Sequence, residues 1–202
     1  MEKLDLFPCP LWQFDIPVFF EVKDQLIKEI YSIKKQYVGD VTTSVGGWQS
    51  NSLFALESEK EYRSNSLKII INKIIKPIEN NLLSYGHIVI ISEMWYNING
   101  KNCSNEFHDH PGVDLAGIFY VKVPDRAEKS GDLILRDPHC HQQFKLNRSI
   151  TPDEPVKTYS ITPKEGKFIM FPGHLLHKVE TNKTDEDRIS IAFNLTIRNT
   201  ND

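Results

Sequence analysis

The sequence predicts an α+β protein, mainly β, in which an N-terminal helical layer covers one face of an antiparallel sandwich or barrel. Two observations favour this fold class. The first third of the 202 residues carries apolar side chains at helical spacing, whereas from about residue 87 short β-branched and aromatic runs are separated by Gly, Pro and Asp. Helices that precede a series of strands commonly pack on one side of the sheet.

Two segments predict the helices. In residues 22–36 and again in residues 64–85, apolar side chains recur every three or four positions with polar residues between them. Pro77 lies inside the second segment and predicts a bend or a break, because proline has no backbone N–H and its ring clashes with the preceding turn. The Gly-Gly pair at 46–47 indicates a turn between the two helices.

Eight strands are predicted after the helices, and short strands joined by turn signals are typical of an antiparallel sandwich or barrel. We expect one domain over residues 1–202, with a mainly helical layer over 1–86 and the β core over 87–198. The predicted strands span 87–99, 105–110, 115–123, 131–137, 156–163, 166–172, 175–181 and 188–198.

Composition and charge exclude several classes of protein. A net charge of −3 gives no electrostatic reason to expect nucleic acid or an anionic membrane as a partner. No apolar run approaches the ~18–20 residues of a membrane span, and the N-terminus does not resemble a signal peptide. Three scattered cysteines predict neither a disulfide framework nor a zinc site. We therefore expect a cytoplasmic protein.

A pair of histidines two residues apart suggests a metal site. In an extended strand His108 and His110 would share a face, while Asp109 would point to the opposite side. The pattern also fits a polar strand edge, so a further ligand must come from elsewhere, and His177 in a later strand can supply it. His139 and His141 repeat the spacing in a predicted loop and would form a competing site only with a partner ligand.

An arginine and a serine begin the last predicted strand. Strand alternation places Arg188, Ser190 and Asn194 on one face, where a guanidinium could bind a carboxylate in a bidentate manner. A surface salt bridge is the ordinary alternative for this arginine. On another strand Trp95 and Asn97 also share a face, and we expect both to line the same cavity, although Trp95 fits a core position equally well.

The order of these motifs resembles a known family. HxHP, SGxLxxxDP, LLHxV and RxSIAFN, over residues 45–198, are similar to those of 2-oxoglutarate/Fe(II)-dependent oxygenases, in particular the small members with an HxHP motif. The resemblance implies a double-stranded β-helix, which is a jelly-roll or cupin-like fold. It also implies that His108, His110 and His177 bind Fe(II), that Arg188 and Ser190 bind the cosubstrate 2-oxoglutarate, and that O2 is used to hydroxylate a substrate.

One position departs from the wider family. The usual motif is His-x-Asp or His-x-Glu, whereas the second residue here is His110. We predict a three-histidine site; the alternative ligand is Asp109, turned inward by a bulge at Pro111. Two other functions stay open: a cupin-like three-histidine metalloenzyme that does not use 2-oxoglutarate, and a non-catalytic β-barrel binding protein. A homodimer is a further prediction, and the sequence does not identify the prime substrate.

Overall fold

The computed structural model describes residues 9–40, 42–54, 64–82, 86–138 and 158–200. Within them the helices are α1 (Phe19–Gln36) and α2 (Asn65–Leu82), and a single 3-10 turn spans Ala127–Lys129. The strands are β1 (Trp12–Asp15), β2 (Ser44–Val45), β3 (Trp48–Gln49), β4 (His87–Asn99), β5 (Ser104–His108), β6 (Leu115–Lys122), β7 (Leu133–Arg136), β8 (Thr158–Ile161), β9 (Lys167–Pro172), β10 (His177–Val179) and β11 (Arg188–Asn199).

The strands form two antiparallel sheets that pack face to face. The larger sheet has the order β1-β9-β6-β11-β4-β3, and the smaller has the order β2-β5-β10-β7-β8. An apolar cluster from both sheets fills the space between them. Its buried members are Ala116, Ile118, Tyr120, Leu133, Leu135, Ile169, Phe171, Leu175 and Val179.

Both helices cover the outer face of the larger sheet, as the sequence predicts. Their apolar stripes join the sheet's outward-facing side chains in a second core cluster. Strand β11 separates the two cores by alternation: Ile189, Ile191 and Phe193 face the helices, whereas Arg188 and Ser190 face the interior of the sandwich. Neither α1 nor α2 is long and apolar enough to cross a membrane.

Of the bend or break expected at Pro77, the break does not occur, since α2 runs through Pro77 to Leu82. Pro77 removes only one intrahelical hydrogen bond, to the carbonyl of Lys73, and Lys73 is exposed to water that can bind this carbonyl instead. The buried apolar stripe of the helix, with Ile74 and Ile78 on either side of the proline, stabilises the helical path against the sheet.

The N-terminal third is less purely helical than predicted. Strands β1, β2 and β3 come from it and pair with β9, β5 and β4 respectively, so the first third supplies edge strands to both sheets. Two-residue strands such as β2 and β3 are too short to show an alternating pattern, and the ladder with a neighbouring strand is what defines them.

Candidate metal centre and cosubstrate cavity

Three histidine side chains meet between the two sheets. His177 on β10 lies directly opposite His108 at the end of β5, and their ring centroids are 4.3 Å apart. The ring of His110 stacks on His177 at 5.1 Å and lies 5.3 Å from His108. One ring nitrogen of each histidine lies within 4.8 Å of the others, which is an arrangement able to hold a metal ion.

An irregularity in β5 sets which of its residues face this centre. Two steps along β10, from His177 to Val179, are matched by three along β5, from His108 to Asn105. The extra residue is a β-bulge, so Asn105 and His108 both face inward while Glu106 is exposed. The simple alternation that places Glu106 on the same face as His108 is therefore wrong here.

His110 reaches the centre from a turn and not from the strand, which ends at His108 instead of residue 110. Its backbone N–H donates to the carbonyl of Gly173 at 2.9 Å. A Cβ at Gly173 would lie 2.2 Å from the Val113 carbonyl oxygen, so only glycine permits this close approach. Asp109, the alternative ligand, is exposed and lies outside the histidine group.

Hydrogen bonds select the same tautomer for all three rings. The Nδ1 atoms of His108 and His177 lie 2.7 and 2.8 Å from the backbone carbonyl oxygens of Glu106 and Leu175. The Nδ1 of His110 lies 2.5 Å from Oδ1 of Asn194. Because a carbonyl oxygen only accepts, each Nδ1 carries the proton, and each Nε2 is left with its lone pair for a metal.

Burial favours the neutral form of His177 and His110. It lowers the pKa of His177 to about 3, and the neighbouring His108 acts in the same direction. Burial also lowers the pKa of His110, although the hydrogen bond that this ring donates to Asn194 opposes the shift. Neutral imidazole is the form that binds a metal, so these rings are ready to act as ligands near neutral pH.

A cavity of about 50 Å³ extends from the histidines into the sandwich. Arg188 lies on its wall and is only 1% exposed. Its Nη1 donates to the Gly131 carbonyl at 2.9 Å, its Nε has no partner, and among the described residues no carboxylate forms an ion pair with it. Other lining residues are Trp95, Asn97, His108, His110, His177 and Ser190.

A family model described as "Putative 2OG-Fe(II) oxygenase" matches residues 93–194, half of the chain and the part that carries every residue of this cavity wall named above. The chain belongs to this family of 2-oxoglutarate/Fe(II) oxygenases. Oxygenases of this family use Fe(II) and 2-oxoglutarate. No curated protein matches the chain in sequence.

Solved structures of other oxygenases share the fold at low identity. A prolyl-4-hydroxylase from Pseudomonas putida is 10% identical, with 92% of each chain covered and a TM-score of 0.61. HygX from Streptomyces hygroscopicus, solved with nickel, 2-oxoglutarate and hygromycin B, is 10% identical, with 93% of this chain and 82% of that chain covered and a TM-score of 0.63. A prolyl hydroxylase from Trichoplax adhaerens is 12% identical, with 92% of this chain and 82% of that chain covered and a TM-score of 0.62. The predicted double-stranded β-helix is confirmed.

The residues present fit the metal and the cosubstrate that the oxygenase family uses. Three imidazoles whose Nδ1 atoms are held by hydrogen bonds form a donor set suited to a divalent transition metal. Arg188 is a buried cation for which a dicarboxylate can supply the absent counter-charge, and burial already lowers the pKa of its guanidinium.

Tyr120 is a further polar residue near Arg188. It lies opposite Ser190 in the β6–β11 ladder and is fully buried, and within the described part of the chain its hydroxyl has no hydrogen-bond partner. Burial raises the pKa of this phenol to about 12, whereas the nearby Arg188 lowers it. The hydroxyl is therefore a neutral donor, and its relevance emerges only when the pairing of β6 with β11 is known.

On the outer side of the histidines a wider recess of about 560 Å³ opens to solvent. His108, His110 and Trp95 line both this recess and the inner cavity, whereas Asn194 lines the recess but not the cavity. Of the other histidines considered, His174 is exposed in the turn before β10, and His139 and His141 lie outside the described residues.

Proposed function

We propose that this chain is an Fe(II)- and 2-oxoglutarate-dependent hydroxylase that works as one domain, with the metal held by Nε2 of His108, His110 and His177. Arg188 is the observation that supports this function most strongly. It is a fully buried cation, without a carboxylate partner among the described residues, on the wall of the cavity that the three histidines also line.

Arg188 and Ser190 would bind the far carboxylate of 2-oxoglutarate, with the guanidinium supplying charge and the hydroxyl a further donor. Tyr120 can add its phenolic hydrogen to the same group, since it lies opposite Ser190 and lacks a partner. The cavity is enclosed between the sheets, which excludes bulk water and strengthens each of these contacts. This end of the site therefore fixes the orientation of the cosubstrate.

Iron held by these histidines would supply the oxidising chemistry for hydroxylation of a substrate C–H bond, with O2 and 2-oxoglutarate as co-reactants. The protein contributes placement. Trp95 stacks on His110 at 6.0 Å between ring centroids and restricts the movement of this ring. The recess beyond the histidines is where the prime substrate would approach.

The lining of the recess disfavours a polyanionic substrate. Asp40, Glu93 and Asp109 contribute carboxylates, whereas no Lys or Arg lines it among the described residues. A nucleic acid needs basic groups to neutralise its phosphates. Nucleic acid is therefore not expected as the prime substrate.

The pairing of two copies of the chain into a homodimer stays a prediction.

The proposal is tested with purified protein under anaerobic conditions. Addition of Fe(II) and 2-oxoglutarate should give a weak visible charge-transfer band that is lost in Arg188→Ala and kept in Arg198→Ala, a control on the exposed end of the same strand. Admission of O2 should yield succinate. Absence of both the band and succinate would refute this function.

The ligand set supports one alternative. It contains three imidazoles and no carboxylate, which is also suited to a metalloenzyme that does not use 2-oxoglutarate. Such an enzyme would bind Fe(II) equally well in wild type and Arg188→Ala, and 2-oxoglutarate would not change its spectrum. The same titration therefore distinguishes the two functions.

A further inference from the structure

The three histidines differ in which group accepts the hydrogen bond from Nδ1. The Nδ1 atoms of His108 and His177 donate to backbone carbonyls within their own segments, at Glu106 and Leu175. No side-chain substitution removes these acceptors. His110 alone donates to a side chain, Asn194, which lies 84 residues further along the chain on β11.

A carboxamide can present either its oxygen or its NH2 group, so Asn194 alone does not determine which tautomer of His110 is favoured. Glu93 resolves this ambiguity. It lies directly opposite Asn194 in the β4–β11 ladder, and its Oε2 is 3.4 Å from Asn194 Nδ2. A carboxylate only accepts, so the NH2 group turns toward Glu93 and Oδ1 turns toward His110.

We propose that Asn194, oriented by Glu93, is a positioning residue that keeps the proton of His110 on Nδ1 and its Nε2 free for the metal. This inference rests on the proposed metal site. Asn194 is 9% exposed and its carboxamide oxygen accepts from His110 at 2.5 Å, so the contact is short and largely buried at the inner wall of the recess. Outer partners of this kind typically alter metal affinity by about 10- to 100-fold.

Cobalt(II) added to the metal-free protein is a suitable probe, because its d–d spectrum reports ligand geometry without turnover. Asn194→Leu, which is similar in size but has no acceptor, should weaken Co(II) binding by about 10- to 100-fold and change the d–d bands. Asn194→Asp retains an oxygen acceptor and should bind Co(II) within about tenfold of wild type. A purely structural role would give equal losses for both variants.

Two glutamates provide a matched pair for the orienting step. Glu93→Gln should weaken Co(II) binding, because a glutamine amide can also donate to Asn194 and no longer fixes its direction. Glu106→Gln should leave binding unchanged, since only the backbone carbonyl of Glu106 contacts His108. Equal Co(II) affinity in wild type, Glu93→Gln and Asn194→Leu would overturn the proposal.

A measurement on the wild-type protein does not depend on whether a variant folds. In metal-free protein labelled with 15N-histidine, long-range 1H–15N correlations should show His110 protonated at Nδ1, with the signal assigned by its loss in His110→Gln. Protonation at Nε2 would overturn the role of Asn194 even if Co(II) binds. Failure of the wild type to bind Co(II) would instead remove the metal site itself and the proposed function with it.

Discussion

Replacing Arg188 by methionine should separate the stability of the protein from its affinity for the cosubstrate. Methionine is unbranched and adaptable, so it can fill much of the space of the arginine stem. Arg188 is 1% exposed, and its one hydrogen bond among the described residues goes to the Gly131 carbonyl. We expect Arg188→Met to have little effect on the metal-free protein and a large effect on the binding of 2-oxoglutarate.

The structure gives the approximate size of both effects. Loss of the hydrogen bond leaves the Gly131 carbonyl unsatisfied, at a cost of about 1–3 kcal/mol. Removing a buried and unpaired cation offsets this cost by about 1–4 kcal/mol. The free energy of unfolding should therefore change by no more than about 3 kcal/mol in either direction. Losing two charge-assisted hydrogen bonds of about 1.5–3 kcal/mol each should raise the Kd of 2-oxoglutarate by about 100- to 10,000-fold.

Urea unfolding of the metal-free protein and anaerobic calorimetric titration of the Co(II)-loaded protein with 2-oxoglutarate measure these two quantities. Arg198→Met is the control, because Arg198 is exposed near the end of the same strand and should change neither. A large loss of stability in Arg188→Met, with the affinity for 2-oxoglutarate unchanged, would mean that the guanidinium has a structural role and would refute the reasoning.

Three further outcomes are expected. In Co(II) titrations, Asp109→Asn should bind within about twofold of wild type, whereas His110→Asn should bind more than about 100-fold more weakly. The reverse result would mean that the Asp109 carboxylate, and not His110, is the ligand. In metal-free protein His177 takes up its proton near pH 3 when folded and near pH 6.5 when unfolded, so between these values the unfolded state binds more protons. The free energy of unfolding should therefore fall as the pH falls from 6.5, by up to about 1.4 kcal/mol per pH unit, and His177→Gln should flatten this slope in urea titrations. Gly131→Ala should destabilise by about 2 kcal/mol more than Gly112→Ala. Both glycines have positive φ, but of the two only Gly131 would place a Cβ against backbone, 2.1 Å from the Glu180 carbonyl oxygen. Equal losses of stability in urea unfolding would exclude this clash as the cause.

Periodicity predicted those parts of the fold that contain long regular elements. The alternation along β11 correctly separated Ile189 and Ile191, which face the helices, from Arg188 and Ser190, which face the cavity. The period of two holds there because the positions from Arg188 to Asn194 pair with β4 without a bulge. The spacing of apolar residues likewise located both helices, and the core overrode the local effect of Pro77.

The parts that sequence could not supply depend on pairing between distant segments. Nothing in SNEFH marks the bulge that turns Glu106 outward, because the extra residue is defined only against β10. The hydrogen bond from His110 to Asn194 also depends on which distant strands pack together. The same holds for the buried Tyr120 hydroxyl, which has no hydrogen-bond partner among the described residues. Asn194 was predicted to line a pocket, but its contact with a histidine depends on how β11 packs beside the turn after β5.

The direct pairing of His108 with His177 has a consequence for variation in this protein. The chain between Arg136 and Thr158 lies between the two histidines in sequence, yet their separation in space is set by the β5–β10 ladder. Insertions or deletions in this intervening chain should therefore leave the distance between these two ligands unchanged.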